Sequence, residues 1–166
     1  MPAKFFEQEI KSGLNDKRKL SAYLDNVVST HLPEVTDTEL TYIFCSDDRL
    51  LQMNQQFLAH DTLTDIITFD MSEHKAELEG EIYISVDRVK ENAEKYNVSY
   101  QNELHRVIFH GALHLCGFKF ALYRRQHERF TIAIQLIAHQ RVAYRLHVQA
   151  YLVCAAGVYL KLYQRI

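Results

Sequence analysis

Residues 99–120 read SYQNELHRVIFHGALHLCGFKF. Serine is a favoured helix cap, and Leu104, Val107, Ile108, Gly111, Ala112 and Leu115 recur on one side at helical spacing. The stretch therefore predicts a helix over 100–116, capped by Ser99, with that side turned inward. Gly117 stands where a helix stop is expected, because glycine adopts the left-handed conformation that ends helices. On such a helix His110 and His114 lie on one face with Cβ atoms about 5–6 Å apart, within reach of a single metal ion. In a chain with nine histidines a pair of this kind is by itself a weak signal. The glycine sharpens it. In the pattern His-x-x-x-His-x-x-Gly-x-x-ligand the helix breaks and the chain turns back to deliver a third donor. Here that third position is Phe120, which has no lone pair to give. Zinc hydrolases of the HExxH type use the same first pair, but the glutamate after the first histidine is their general base. Gly111 occupies that place, which argues against metalloprotease chemistry. Glu103 lies on the histidine side two turns earlier and reads as a solvated surface glutamate, with a carboxylate supporting the histidines as the alternative.

Working outward, DRVKENAEKY (87–96) places Val89, Ala93 and Tyr96 on one helical face. TDIITFD (64–70) and EGEIYISV (79–86) are rich in β-branched and aromatic residues and read as strands. SDDRLLQMNQQFL (46–58) opens with a capping serine and two aspartates in the first turn, where a helix dipole favours anions. TELTYIFC (38–45) alternates Leu40, Tyr42 and Phe44 with Thr41, Ile43 and Cys45, a strand pattern. Before it, NDKRKLSAYLDNVVSTHL (15–32) reads as a helix capped by Asn15 or Asp16, and KFFEQEI (4–10) as a first strand. The order β-α-β-α-β-β-α-α predicts an α+β fold: a small mixed four-stranded sheet packed with helices, with the metal site on the HGxLHLxG helix.

The 166 residues fit one domain, and 48% hydrophobic with 24% charged residues is an ordinary globular composition. Cys45, Cys116 and Cys154 form no CxxC pair and read as free thiols in a reducing compartment, which points to the cytoplasm. There is no signal-peptide run at the N-terminus and no window of 18 consecutive apolar residues, so neither secretion nor a membrane is expected. Charge is divided unevenly. Residues 1–120 hold twelve Lys/Arg against twenty Asp/Glu, a net of −8, whereas residues 121–166 hold seven against one, a net of +6.

The combination TELTYIFCSDDRLLQMNQQFLAHDTLTDIITFD, GEIYISVDRVKENAE and ELHRVIFHGALHLCGF resembles the YbeY family of bacterial metal-dependent, single-strand-specific endoribonucleases, over roughly residues 38–119. The wording HDTLTDIITFD is similar to the branch found in Bacteroidetes. The resemblance implies a Zn2+ cofactor held by His110 and His114. It also implies single-stranded RNA as substrate, in 16S rRNA 3′-end maturation and ribosome quality control, with rRNA and ribosomal subunits as partners and no DNA. The family's third ligand, a histidine or aspartate, falls on Phe120. Many members carry an arginine for the phosphate backbone where this chain has Leu58. His60 and Asp65 are the candidate catalytic residues, and Asp61 could bind substrate beside His60. The plainer reading of Thr64, Asp65 and Thr68 is that they cap and line a strand end. A net charge of −8 is not what a nucleic-acid backbone binder is expected to carry.

The resemblance and the acidic composition stop at the same point. The expected division is residues 1–120 as the YbeY-like unit and residues 121–166 as a divergent basic, apolar tail. One account of the tail is a shift of coding frame after Lys119; the other is a divergent extension. His127 is a candidate replacement ligand if the tail folds back. A function from another class also fits: a metal-free ribosome-assembly or binding protein that keeps the fold and lacks the third ligand.

Overall fold

The computed structural model describes residues 3–58 and 61–118. Eight elements follow one another: β1 (Ala3–Glu7), α1 (Lys17–His31), β2 (Asp37–Cys45), α2 (Asp47–Leu58), β3 (Ile66–Asp70), β4 (Glu77–Ser85), α3 (Val86–Tyr96) and α4 (Tyr100–Leu115). The strands form one sheet in the order β1-β2-β4-β3. β1 and β4 flank β2 in parallel, while β3 runs antiparallel to β4 at the edge. This is the mixed four-stranded sheet expected from the pattern of elements.

Alternation along the strands divides the core between the two faces. Leu40, Tyr42 and Phe44 of β2 and Leu78, Ile82 and Ile84 of β4 are buried with Leu20, Leu24 and Val28 of α1 and Leu104, Val107, Ile108 and Ala112 of α4. On the opposite face Cys45 and Ile67 meet Leu50 and Met53 of α2, with Phe69 and Tyr83 beside them. At about 25 cal/mol per Å² of apolar surface, burial on both faces is the main stabilising term of the sheet.

Helix boundaries follow local chemistry. Ser85 and Ser99 cap α3 and α4, their hydroxyls accepting from the backbone N–H of Arg88 at 3.0 Å and of Asn102 at 3.2 Å. α1 is capped by Asp16, one of the two residues expected, at φ 54° and without a side-chain cap bond. β1 stops at Glu7, short of the expected residue 10, where the Glu7 carboxylate instead accepts from the backbone N–H and hydroxyl of Ser12. β4 begins at Glu77, earlier than expected, in register with Asp37 of β2.

α4 lies close against the sheet because Gly111 has no side chain. A Cβ there would sit 2.8 Å from Ile82 Cγ2 and 2.9 Å from Ile66 Cδ1. The residue that withholds an HExxH glutamate is thus a packing residue. Gly117, at φ +84°, ends the helix with its N–H on the His114 carbonyl at 2.9 Å, followed by Phe118 N–H on the Leu113 carbonyl at 3.0 Å. These are the two bonds of a Schellman cap. Phe118 then packs against Val27 and Leu113, edge-on to His31.

Candidate functional site

One stripe of α4 breaks the apolar pattern. Glu103, Arg106, His110 and His114 follow one another at intervals of three and four residues. They therefore project on a common side of the helix. The Nε2 atoms of His110 and His114 stand 3.0 Å apart, their rings nearly perpendicular with centroids 4.4 Å apart. Two imidazole ligands at tetrahedral angles to one zinc ion, with Zn–N near 2.0–2.1 Å, would be about 3.3 Å apart. The pair therefore fits two corners of a zinc site without moving the helix.

Their electrostatics agree with that use. Burial, then the neighbouring His114 and Arg106, brings the His110 pKa down from 6.5 to about 4, against an upward pull from Asp65. His114 is also lowered by burial and raised in part by Asp65. Both rings are neutral at neutral pH, the state a metal ligand requires. Among the described residues no group of three or more His, Cys, Asp or Glu is arranged to hold a metal.

Asp65 comes to the same place from the loop ahead of β3. Its backbone carbonyl accepts from Ser85 N–H at 3.0 Å, fixing the loop to the end of β4. Arg106 Nη2 donates to Asp65 Oδ2 at 2.7 Å. The same guanidinium grips Glu103, with Nε 3.0 and 2.9 Å from its two carboxylate oxygens and Nη2 2.7 Å from Oε1. Burial disfavours the Arg106 charge, but hydrogen bonding and charge from Glu103, then Asp65, raise its pKa above the usual guanidinium range.

Glu103 corrects the expectation of a solvated glutamate: it is 1% exposed. A carboxylate tolerates such burial only when its charge is paired and hydrogen-bonded. Arg106 was not singled out from the sequence. The available signal was the Glu103–Arg106 spacing on the histidine stripe of a helix whose other face is apolar.

The remaining candidates are spread around this centre. Asp61 is exposed and accepts from Gln55 Nε2 at 2.6 Å. Buried Asn54 holds the same loop through the Thr62 carbonyl, also at 2.6 Å. Thr64 donates to the Ile66 carbonyl at 3.2 Å, a strand-end role, and Thr68 is half-buried on β3. Leu58 is the last residue of α2. His60, Phe120, His127 and the tail lie outside the described residues.

Comparison with known proteins places the chain in a family. The family model described as endoribonuclease YbeY matches residues 5–139. A protein named endoribonuclease YbeY from Cytophaga hutchinsonii is 47% identical over 115 residues, covering 69% of this chain and 79% of that protein. Its namesake from Flavobacterium psychrophilum is 50% identical over 103 residues, 61% of this chain and 73% of its own length. Another from Parabacteroides distasonis is 41% identical over 117 residues, 70% and 80% respectively. With more than half its length matched and relatives of this identity covered over more than two thirds, the chain belongs to the YbeY endoribonuclease family.

Proposed function

We propose that this chain is built as a metal-dependent endoribonuclease for single-stranded RNA, acting in the cytoplasm on 16S rRNA 3′ ends and in ribosome quality control. One observation carries the reading: two half-buried histidines whose Nε2 atoms converge to 3.0 Å on the helix that carries the family's HGxLHLxG pattern. His110 and His114 would hold Zn2+, and the ion, when bound, supplies Lewis acidity toward a phosphodiester oxygen and lowers the pKa of water. Asp65, which Arg106 holds at 2.7 Å, would accept a hydrogen bond from the attacking water. His60, one residue before the Gln55–Asp61 contact, is the second candidate for contact with RNA.

Residues 1–120 form the unit that carries this chemistry, and 121–166 are a tail of separate character; the family match ends inside it, at residue 139. The gene settles the tail's origin. A frame shift requires an Asp or His codon just past Lys119, followed by an acidic helix, in another reading frame; neither frame offering one would leave a divergent extension.

Phe120 at the third ligand position favours a second reading, a metal-free ribosome-assembly protein of the same fold. Incubating the purified chain with single-stranded rRNA fragments and with ribosomal subunits separates the two. Cleavage that chelator removes and His114→Ala abolishes supports the nuclease; binding to subunits without cleavage sinks it in favour of the assembly protein.

A further inference from the structure

Asp65 presents a question that the histidine pair alone does not. Its carboxylate is held at 2.7 Å by Arg106, which stands one turn before His110 on the histidine stripe of α4. A nearby carboxylate is a natural third ligand for such a pair. Yet the described residues contain no three-donor cluster. Arg106 holds that carboxylate. Its planar fork is anchored by three contacts to Glu103, which is 1% exposed, and the same fork takes Asp65 Oδ2 at 2.7 Å. A guanidinium locked at one edge by a buried carboxylate has little freedom to release what its other edge holds.

We propose that Arg106 is a positioning residue that, braced by Glu103, ties the Asp65 carboxylate beside the histidine pair and out of direct coordination. Asp65 thereby remains a hydrogen-bond acceptor for water or a substrate hydroxyl. The inference rests on the reading of His110 and His114 as metal ligands.

Nickel binding by calorimetry tests it without requiring RNA cleavage, since Ni2+ binds imidazole sites more tightly than most divalent ions of its row. The informative variant is Glu103→Gln with Arg106→Gln, which leaves net charge unchanged and strands no buried ion. Released from Arg106, Asp65 should join the pair, raising Ni2+ affinity by about tenfold or more. In an Asp65→Asn background the same two substitutions should change affinity by less than about twofold. Arg106→Lys, which keeps the charge and loses the fork, should give a smaller Asp65-dependent rise, and it carries the test if the double variant proves unfolded by circular dichroism. An unchanged affinity, or an equal rise in both backgrounds, overturns the role given to Arg106. If His110→Ala and His114→Ala bind Ni2+ as the parent does, the metal reading itself fails, and this inference with it.

Discussion

Two arginines in this protein are wired alike and used differently. Arg88 joins Asp47 of α2, 2.7 Å from Nε, to Glu91 on its own helix, 2.5 Å from Nη2. Arg106 joins Asp65 to Glu103 on its own helix, also three residues away. Each is an Asp–Arg–Glu bridge between a helix and a neighbouring element. Around Arg88 the bridge ties helix starts together: Ser85 donates to Asp47 at 2.7 Å, and Asp47 N–H donates to Asp87 at 3.1 Å. Its glutamate is 57% exposed, whereas Glu103 is 1% exposed and Arg106 stands one turn before His110 on α4. The same ionic grammar serves as a surface clasp in one place and, when buried, as the frame of the proposed site in the other.

The sharpest way to break this comparison is to delete each arginine. Arg106→Ala leaves Glu103 buried without its main counter-charge and should cost about 3–5 kcal/mol, read from urea unfolding midpoints. Equal costs for the two arginines would erase the distinction. Next in size is completion of the site. Phe120→His or Phe120→Asp should raise zinc affinity by about 100-fold or more in titration calorimetry, because a third donor would complete the proposed three-ligand site. Folded variants that bind zinc no better than the parent would show that residue 120 is not the missing position.

Protonation separates the regions in a third way. The folded pKa of His110 lies near 4, below its ordinary 6.5. The unfolded chain therefore binds the proton first, so stability is full above about pH 6.5 and declines toward pH 4, by on the order of 2 kcal/mol. Urea midpoints at pH 7.5 and 5 measure the slope, which His110→Gln should flatten and Arg88→Ala should leave intact. Ser85→Ala removes the cap of α3 and the donor to Asp47 and should cost about 1 kcal/mol with zinc affinity unchanged. Smallest is Arg88→Ala, at about 1 kcal/mol or less, since its partners remain partly in water.

Much of this was legible in residues 38–118. Alternation in TELTYIFC gave the buried set Leu40, Tyr42 and Phe44, serine caps gave the starts of α3 and α4, and Gly117 gave the end of α4. Where the reading slipped, a local competitor had won: the Glu7 side chain captured Ser12 beyond the end of β1. Glu103 was misjudged because charge normally signals solvent, and its burial depends on a partner whose role does not show in the periodicity.

By itself the sequence determined the helix, the pair of histidines on one side of it, the glycine stop and the phenylalanine at the expected ligand position. Those are consequences of 3.6-residue periodicity and of residue chemistry, both local. Only the tertiary structure decided that Gly111 is the contact through which α4 rests on Ile66 and Ile82, that Glu103 is buried, and that Asp65, 41 residues from Arg106 in the chain, meets it at 2.7 Å. Burial and long-range charge pairing arise from how elements pack, and no spacing along α4 encodes the position of a loop that arrives from β3.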